Sequence, residues 1–153
     1  METGMALRAE VMDHLSQMFD EIDAAIRSCP GDLWRREGVK GMMVPAVLAR
    51  HMVWCIRLGH LLDIPRDQLP GGQDAGTRVP SQEQLIGVLD AIRSCSARVY
   101  GRLPDEAYLM KKGTGSPAIS RVMYTIAHTR HHLGQFVQIL KENGIPPPKW
   151  YPR

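Results

Sequence analysis

The sequence predicts an all-α fold, a four-helix bundle with long crossover loops. Three observations predict it. Four segments repeat apolar residues at the helical period. No segment alternates convincingly with the two-residue period of a strand. Two long stretches without either period separate later helices, which favours connections other than simple up-down-up-down turns. At 153 residues, 44% hydrophobic and 23% charged, the chain is read as one domain spanning 1–153 with an ordinary globular composition.

The first helix is expected over about 7–28. Its stripe is Leu7, Val11, Leu15, Met18, Ile22 and Ile26, and Cys29-Pro30-Gly31 stops it. A polar linker follows, with Trp34 as its anchor on the core. The second helix is expected over about 45–62, with Pro45 in its first turn. Its stripe is Val44, Val47, Leu48, Trp54, Cys55, Leu58 and Leu62, and the wheel places His51 at the centre of that stripe and His60 opposite.

The segment from Pro65 to Pro80 reads as a crossover or a lid. Ser81 and Gln84 form a capping box that opens the third helix, expected over about 81–101. Its stripe is Leu85, Val88, Leu89, Ile92, Cys95 or Ser96, and Val99. A second loop, with Gly113-Thr114-Gly115, runs from Arg102 to Ser116. Ser116 and Pro117 then read as N-cap and first position of the fourth helix, expected over about 117–143. Gly144 supplies a left-handed residue after its end, and Pro146 to Pro148 forbid continuation.

Composition narrows the function. The net charge of +3 is mild and the basic residues are scattered, which argues against nucleic-acid binding. No apolar run approaches the ~20 residues of a membrane span, and the N-terminal residues lack the apolar core of a secretory signal. Cys29, Cys55 and Cys95 are odd in number and lack metal-ligand spacing. They read as reduced core thiols, which fits a cytoplasmic protein.

The histidines carry the functional signal. His128 and His132 are four residues apart, so on a helix their rings lie about 40° apart on one face. The main stripe of the fourth helix is read as Ile119, Val122, Met123, Ile126, Leu133, Val137 and Leu140. The two histidines fall away from it, on a face with Tyr124, Gln135 and Ile139, and His131 lies to one side. His51 is polar yet sits inside an apolar stripe, where a buried ring must find partners.

Three neutral imidazoles from two packed helices can hold a divalent metal and leave a position open. His131 is a rival ligand, and His14 is a weaker rival or a supporting group behind the ligands. Tyr124 and Gln135 are candidates to orient the rings. No Glu follows His128, so the zinc-protease pattern His-Glu-x-x-His is absent. Three readings stay open: an enzyme with an open position, a dimeric metal-binding scaffold whose sphere is closed by a residue such as His14 or Glu21, and a metal-free bundle with hydrogen-bonded core histidines. No catalytic residue is identified.

The segment IAHTRHHLGQFVQILKENGIPPP resembles the last helix of the DinB-like (damage-inducible, YfiT-like) superfamily. Members show His-x-x-x-His followed by Gly-Gln and a helix closing in Gly and proline. The matching residues are His128, His132, Gly134, Gln135, Gly144 and Pro146 to Pro148. VPAVLARHMVWCIRLGHLLDI resembles the family's second helix, whose single histidine maps to His51. The likeness in order and spacing runs over about residues 7–148. It implies a four-helix bundle, a divalent metal such as zinc or nickel on His51, His128 and His132, and a homodimer. It also implies a small-molecule substrate, with thiol S-transfer by a low-molecular-weight thiol as one family activity. Leu133 departs from the pattern, because members often carry Arg before Gly-Gln.

Overall fold

The apolar spacing of the first segment folds as expected. In the computed structural model, which describes residues 3–37, 43–60, 79–110 and 116–149, α1 spans Thr3–Ser28. Val11, Leu15, Met18, Ile22 and Ile26 are buried along one face, and Phe19 and Ala25 widen it. The last carbonyls of α1 find a side-chain donor, since Gln82 Nε2 donates to Ile26 O and Cys29 O at 2.7 Å each. That pair of bonds ties the end of α1 to the start of the third long helix.

The linker after α1 holds a one-turn helix, α2 (Gly31–Trp34). A stripe cannot be read over four residues, so periodicity misses such a turn. Pro30, in extended backbone, opens it. Trp34 is an anchor as expected. It is buried, its Nε1 donates to Pro80 O at 2.9 Å, and its ring meets Phe136 edge-on at 6.4 Å.

The second long helix, α3 (Pro45–His60), corrects the expected stripe. Its core face is Ala46, Leu48, Ala49, Met52, Val53 and Ile56. Val44, Val47, His51, Trp54 and Cys55 are only half-buried. His51 therefore lies at the margin of the buried arc and not at its centre. The helix is apolar around most of its circumference, so the wheel alone offers two stripes. The small Ala46 and Ala49 favour the arc that lets neighbouring helices approach closely. The side chains of Leu58 and His60, and all of Leu62, lie outside the described residues.

The third long helix, α4 (Gln82–Tyr100), begins with the expected capping box: Ser81 Oγ accepts from Gln84 N, and Gln84 Oε1 accepts from Ser81 N. Leu85, Leu89, Ile92, Cys95 and Ser96 are buried along it. A short helix, α5 (Asp105–Leu109), follows where a loop was expected. Its Tyr108 is fully buried and donates its hydroxyl to Tyr100 O, and burial pushes the phenol pKa up to about 12.

The last helix, α6 (Ala118–Glu142), has Pro117 at its N-cap with no side-chain cap. Ser116 does not cap it; the Ser116 carbonyl accepts from Arg121 Nη1 at 2.6 Å. The far end closes as expected. Gly144 takes φ +74°, Gly144 N donates to Lys141 O, and Ile145 N donates to Leu140 O, which is a Schellman ending.

The core face of α6 differs from the expected stripe. Ala118, Val122, Thr125, Thr129, Leu133, Phe136 and Leu140 are buried, whereas Met123 is 63% exposed. Two threonines hide the true face, because their hydroxyls count as polar in a hydropathy pattern. Thr125 removes that cost by donating to Arg121 O within the helix. With Thr125 and Thr129 restored to the core, His128 and His132 flank the buried face directly and do not form a separate one.

The four long helices pack as a ring of neighbours: α1 against α4 and α6, and α3 against α4 and α6. The fold is all-α, with no strand among the described residues. The α3–α6 seam is the most extensive of these contacts. The chain therefore passes between non-neighbouring helices through the α2 segment and again through the α5 segment. The 65–80 stretch was expected to be a crossover or a lid; residues 61–78, which join the neighbours α3 and α4, lie outside the described residues. Gly113-Thr114-Gly115 lies outside them as well. No helix among the described residues is long and apolar enough to cross a membrane.

Candidate metal centre

The α3–α6 seam brings one ring from α3 against two from α6. The His51 ring centroid is 4.5 Å from that of His132 and 5.7 Å from that of His128. His128 and His132 are 4.6 Å apart, as their four-residue spacing dictates. The closest atoms are His51 Nε2 and His132 Nε2, at 3.1 Å. All three histidines are half-buried, so the cluster sits on the margin of the core with access from outside.

Hydrogen bonding assigns the protons. His132 Nδ1 lies 2.8 Å from Gln135 Oε1, an atom that can only accept, so Nδ1 carries the hydrogen and Nε2 keeps a lone pair. The contact between His51 Nε2 and His132 Nε2 is a hydrogen bond when His51 carries its hydrogen on Nε2. The Gln135 amide nitrogen faces His131 Nε2 at 3.4 Å, so Gln135 spans both rings. Tyr124 stacks on His128 with centroids 5.5 Å apart and planes 15° from parallel, and its other face is open to solvent.

Electrostatics favours the neutral forms of His51 and His128. Burial, reinforced by His132 and His128, holds the His51 pKa below the ordinary 6.5. Burial, with His132 and His131, does the same for His128. A metal needs the neutral imidazole, so these shifts remove proton competition near neutral pH.

Cys55 was missed. It lies one turn after His51, and its Sγ is 3.5 Å from His51 Nε2 and 3.9 Å from Nδ1. His51, Cys55 and His128 each offer a donor atom within 4.8 Å of the other two, a group that can hold a metal ion. The signal was present as His51-x-x-x-Cys55, the same spacing as the α6 histidines, but in an apolar stripe a cysteine reads as packing. Burial raises the Cys55 thiol pKa. Cys29 and Cys95 are buried, as expected of core thiols.

The remaining candidates lie elsewhere. His14 is exposed on α1 with its Nε2 4.0 Å from Glu10 Oε2. Glu21 is held by Arg130, whose Nε and Nη2 reach its two oxygens at 3.2 and 3.4 Å. That pair lines an open groove of about 440 Å³ between α1 and α6, with Gln17, Leu133, Gly134 and Val137. Leu133, the departure from the family pattern, packs in the core on that side of α6. His131 is exposed and touches the cluster only through His132 and Gln135.

The group that can hold a metal ion among the described residues is His51, Cys55 and His128, and His132 is not part of it. Two imidazole nitrogens bound at about 2.0–2.1 Å to one tetrahedral ion lie about 3.3–3.4 Å apart. The observed 3.1 Å between His51 and His132 is within a few tenths of an ångström of that edge. Compared with known proteins, the chain matches no family and no curated protein.

Proposed function

We propose that the chain is a divalent-metal-binding protein of the DinB-like kind, with His51, His128 and His132 as ligands, and a metal-dependent enzyme that activates a thiol or water. The observation that carries it is the approach of His51 Nε2 to His132 Nε2 across two helices that are far apart in sequence. The diagonal placement of α1 and α3, and of α4 and α6, supports the crossover connections of the proposed bundle. Zinc and nickel are among the ions that suit imidazole donors. A bound divalent cation is a Lewis acid, which lowers the pKa of a thiol or water that reaches its open position.

The chain's own residues supply positioning. Gln135 fixes the His132 tautomer, leaving Nε2 free as a donor. Tyr124 holds the His128 ring flat against it and offers a phenol to an incoming substrate. The same likeness extends the proposal to a homodimer acting on a small molecule.

The test is conjugation. Zinc- or nickel-loaded protein is mixed with a low-molecular-weight thiol and an alkylating electrophile, and the thioether is followed by mass spectrometry. Turnover lost in His132→Ala is expected. Equal rates with and without the metal-loaded protein refute the enzyme proposal. The Cys55 sulfur beside His51 favours a second possibility, a closed metal site in a non-enzymatic scaffold. There the metal raises the melting temperature and no turnover is seen.

A further inference from the structure

We infer that Cys55 is itself a metal ligand, which makes the centre a mixed histidine–thiolate site; the inference rests on the metal binding proposed above. The distance is within reach of a shared ion. A nitrogen at about 2.0–2.1 Å and a thiolate at about 2.3 Å on one tetrahedral ion lie about 3.5–3.6 Å apart. Cys55 Sγ is 3.5 Å from His51 Nε2. It is also 3.9 Å from Nδ1, so the sulfur lies beside the His51 ring, and a turn of the ring or of the Cys55 side chain brings it toward the Nε2 lone pair. His51, Cys55 and His128 each place a donor atom within 4.8 Å of the other two, and His132 Nε2 lies 3.1 Å from His51 Nε2.

The other cysteines differ. Cys29 is buried with its Sγ 3.7 Å from Pro30 O, and Cys95 is buried in α4. Among the three, Cys55 is half-buried and lies beside the rings.

Binding balances simply: the cation takes the sulfur lone pair and the thiol proton leaves to solvent. A thiolate donor changes the metal the site selects. It favours zinc, cobalt and softer ions and disfavours magnesium, calcium and manganese.

Cobalt(II) is the probe, added to metal-free protein. Wild type should develop a near-ultraviolet sulfur-to-cobalt charge-transfer band that saturates with the cobalt bound. Cys55→Ser should lose that band and keep the visible d–d absorption of cobalt on the histidines. A band unchanged in Cys55→Ser, or cobalt bound by wild type without the band, overturns the inference and leaves histidine binding standing. No cobalt bound by wild type overturns both. A second measurement needs no variant. Iodoacetamide alkylation mapped by peptide mass spectrometry should slow at Cys55 by at least about tenfold at saturating zinc, because protection follows occupancy. An unchanged rate overturns the inference.

Discussion

Gln135→Leu isolates the support behind one ligand. Gln135 Oε1 accepts from His132 Nδ1 at 2.8 Å, and this bond holds the ring in the tautomer whose Nε2 can bind a metal. Loss of such a partner costs about 10–100-fold in metal affinity. Gln135 is exposed, so water replaces part of the lost bond and the low end applies: about tenfold, or about 1.4 kcal/mol. Gln135→Glu should move the other way by a few fold, because a carboxylate accepts more strongly. Gln, Leu and Glu have similar helix propensities, so α6 stays intact and the metal-free melting temperature serves as the control. The assay is zinc titration in competition with a chromophoric chelator. A folded Gln135→Leu protein that binds zinc as tightly as wild type refutes the positioning argument.

Four further outcomes follow from the same structure. Because burial depresses His51 and His128 below 6.5, the unfolded chain binds more protons than the folded one once the pH falls past that value. Metal-free stability should therefore be full above pH 6.5 and decline as the pH drops through the folded pKa values; urea midpoints that do not change over that window would contradict it. Phe136→Ala removes a fully buried ring packed on Trp34 and should cost about 3–5 kcal/mol in urea unfolding. Gly144→Ala places a Cβ at φ +74° with open space around it, so its cost is backbone strain alone, roughly 1 kcal/mol. Thr129 is fully buried and its Oγ1 has no hydrogen-bond partner among the described residues; Thr129→Val should leave stability unchanged or raise it by about 1 kcal/mol, and a clear loss would mean that the hydroxyl has a bonding role.

The long helices were legible in the sequence because each carries a stripe over several turns and strong end signals. Ser81 with Gln84 and Gly144 act where they were expected to act. The stripes of α3 and α6 were less legible, for opposite reasons. On α3 too many positions are apolar, so hydropathy could not choose between the His51 arc and the Ala46–Ala49 arc. On α6 too few are, because Thr125 and Thr129 are buried residues with polar side chains.

The short helices α2 and α5 lie below the length at which a period exists. They carry the two diagonal passages; one falls in the 102–116 loop that was expected to be a long connection, and the other in the linker after α1 and not in the 65–80 segment. At the site, the spacing of His128 and His132 gave their adjacency, but no local rule brings His51 to them. That approach depends on α3 and α6 being neighbours, a tertiary fact. Cys55 went unnoticed because its identity alone does not separate a packed thiol from a donor.

Elemental analysis of protein purified without a histidine tag tests the central claim most directly, with wild type measured beside His51→Ala and His132→Ala. Wild type should retain about one zinc or nickel ion per chain after dialysis. Both variants should lose it, and His60→Ala should keep it. Metal retained in both variants, or none in wild type, would contradict a cation held between α3 and α6.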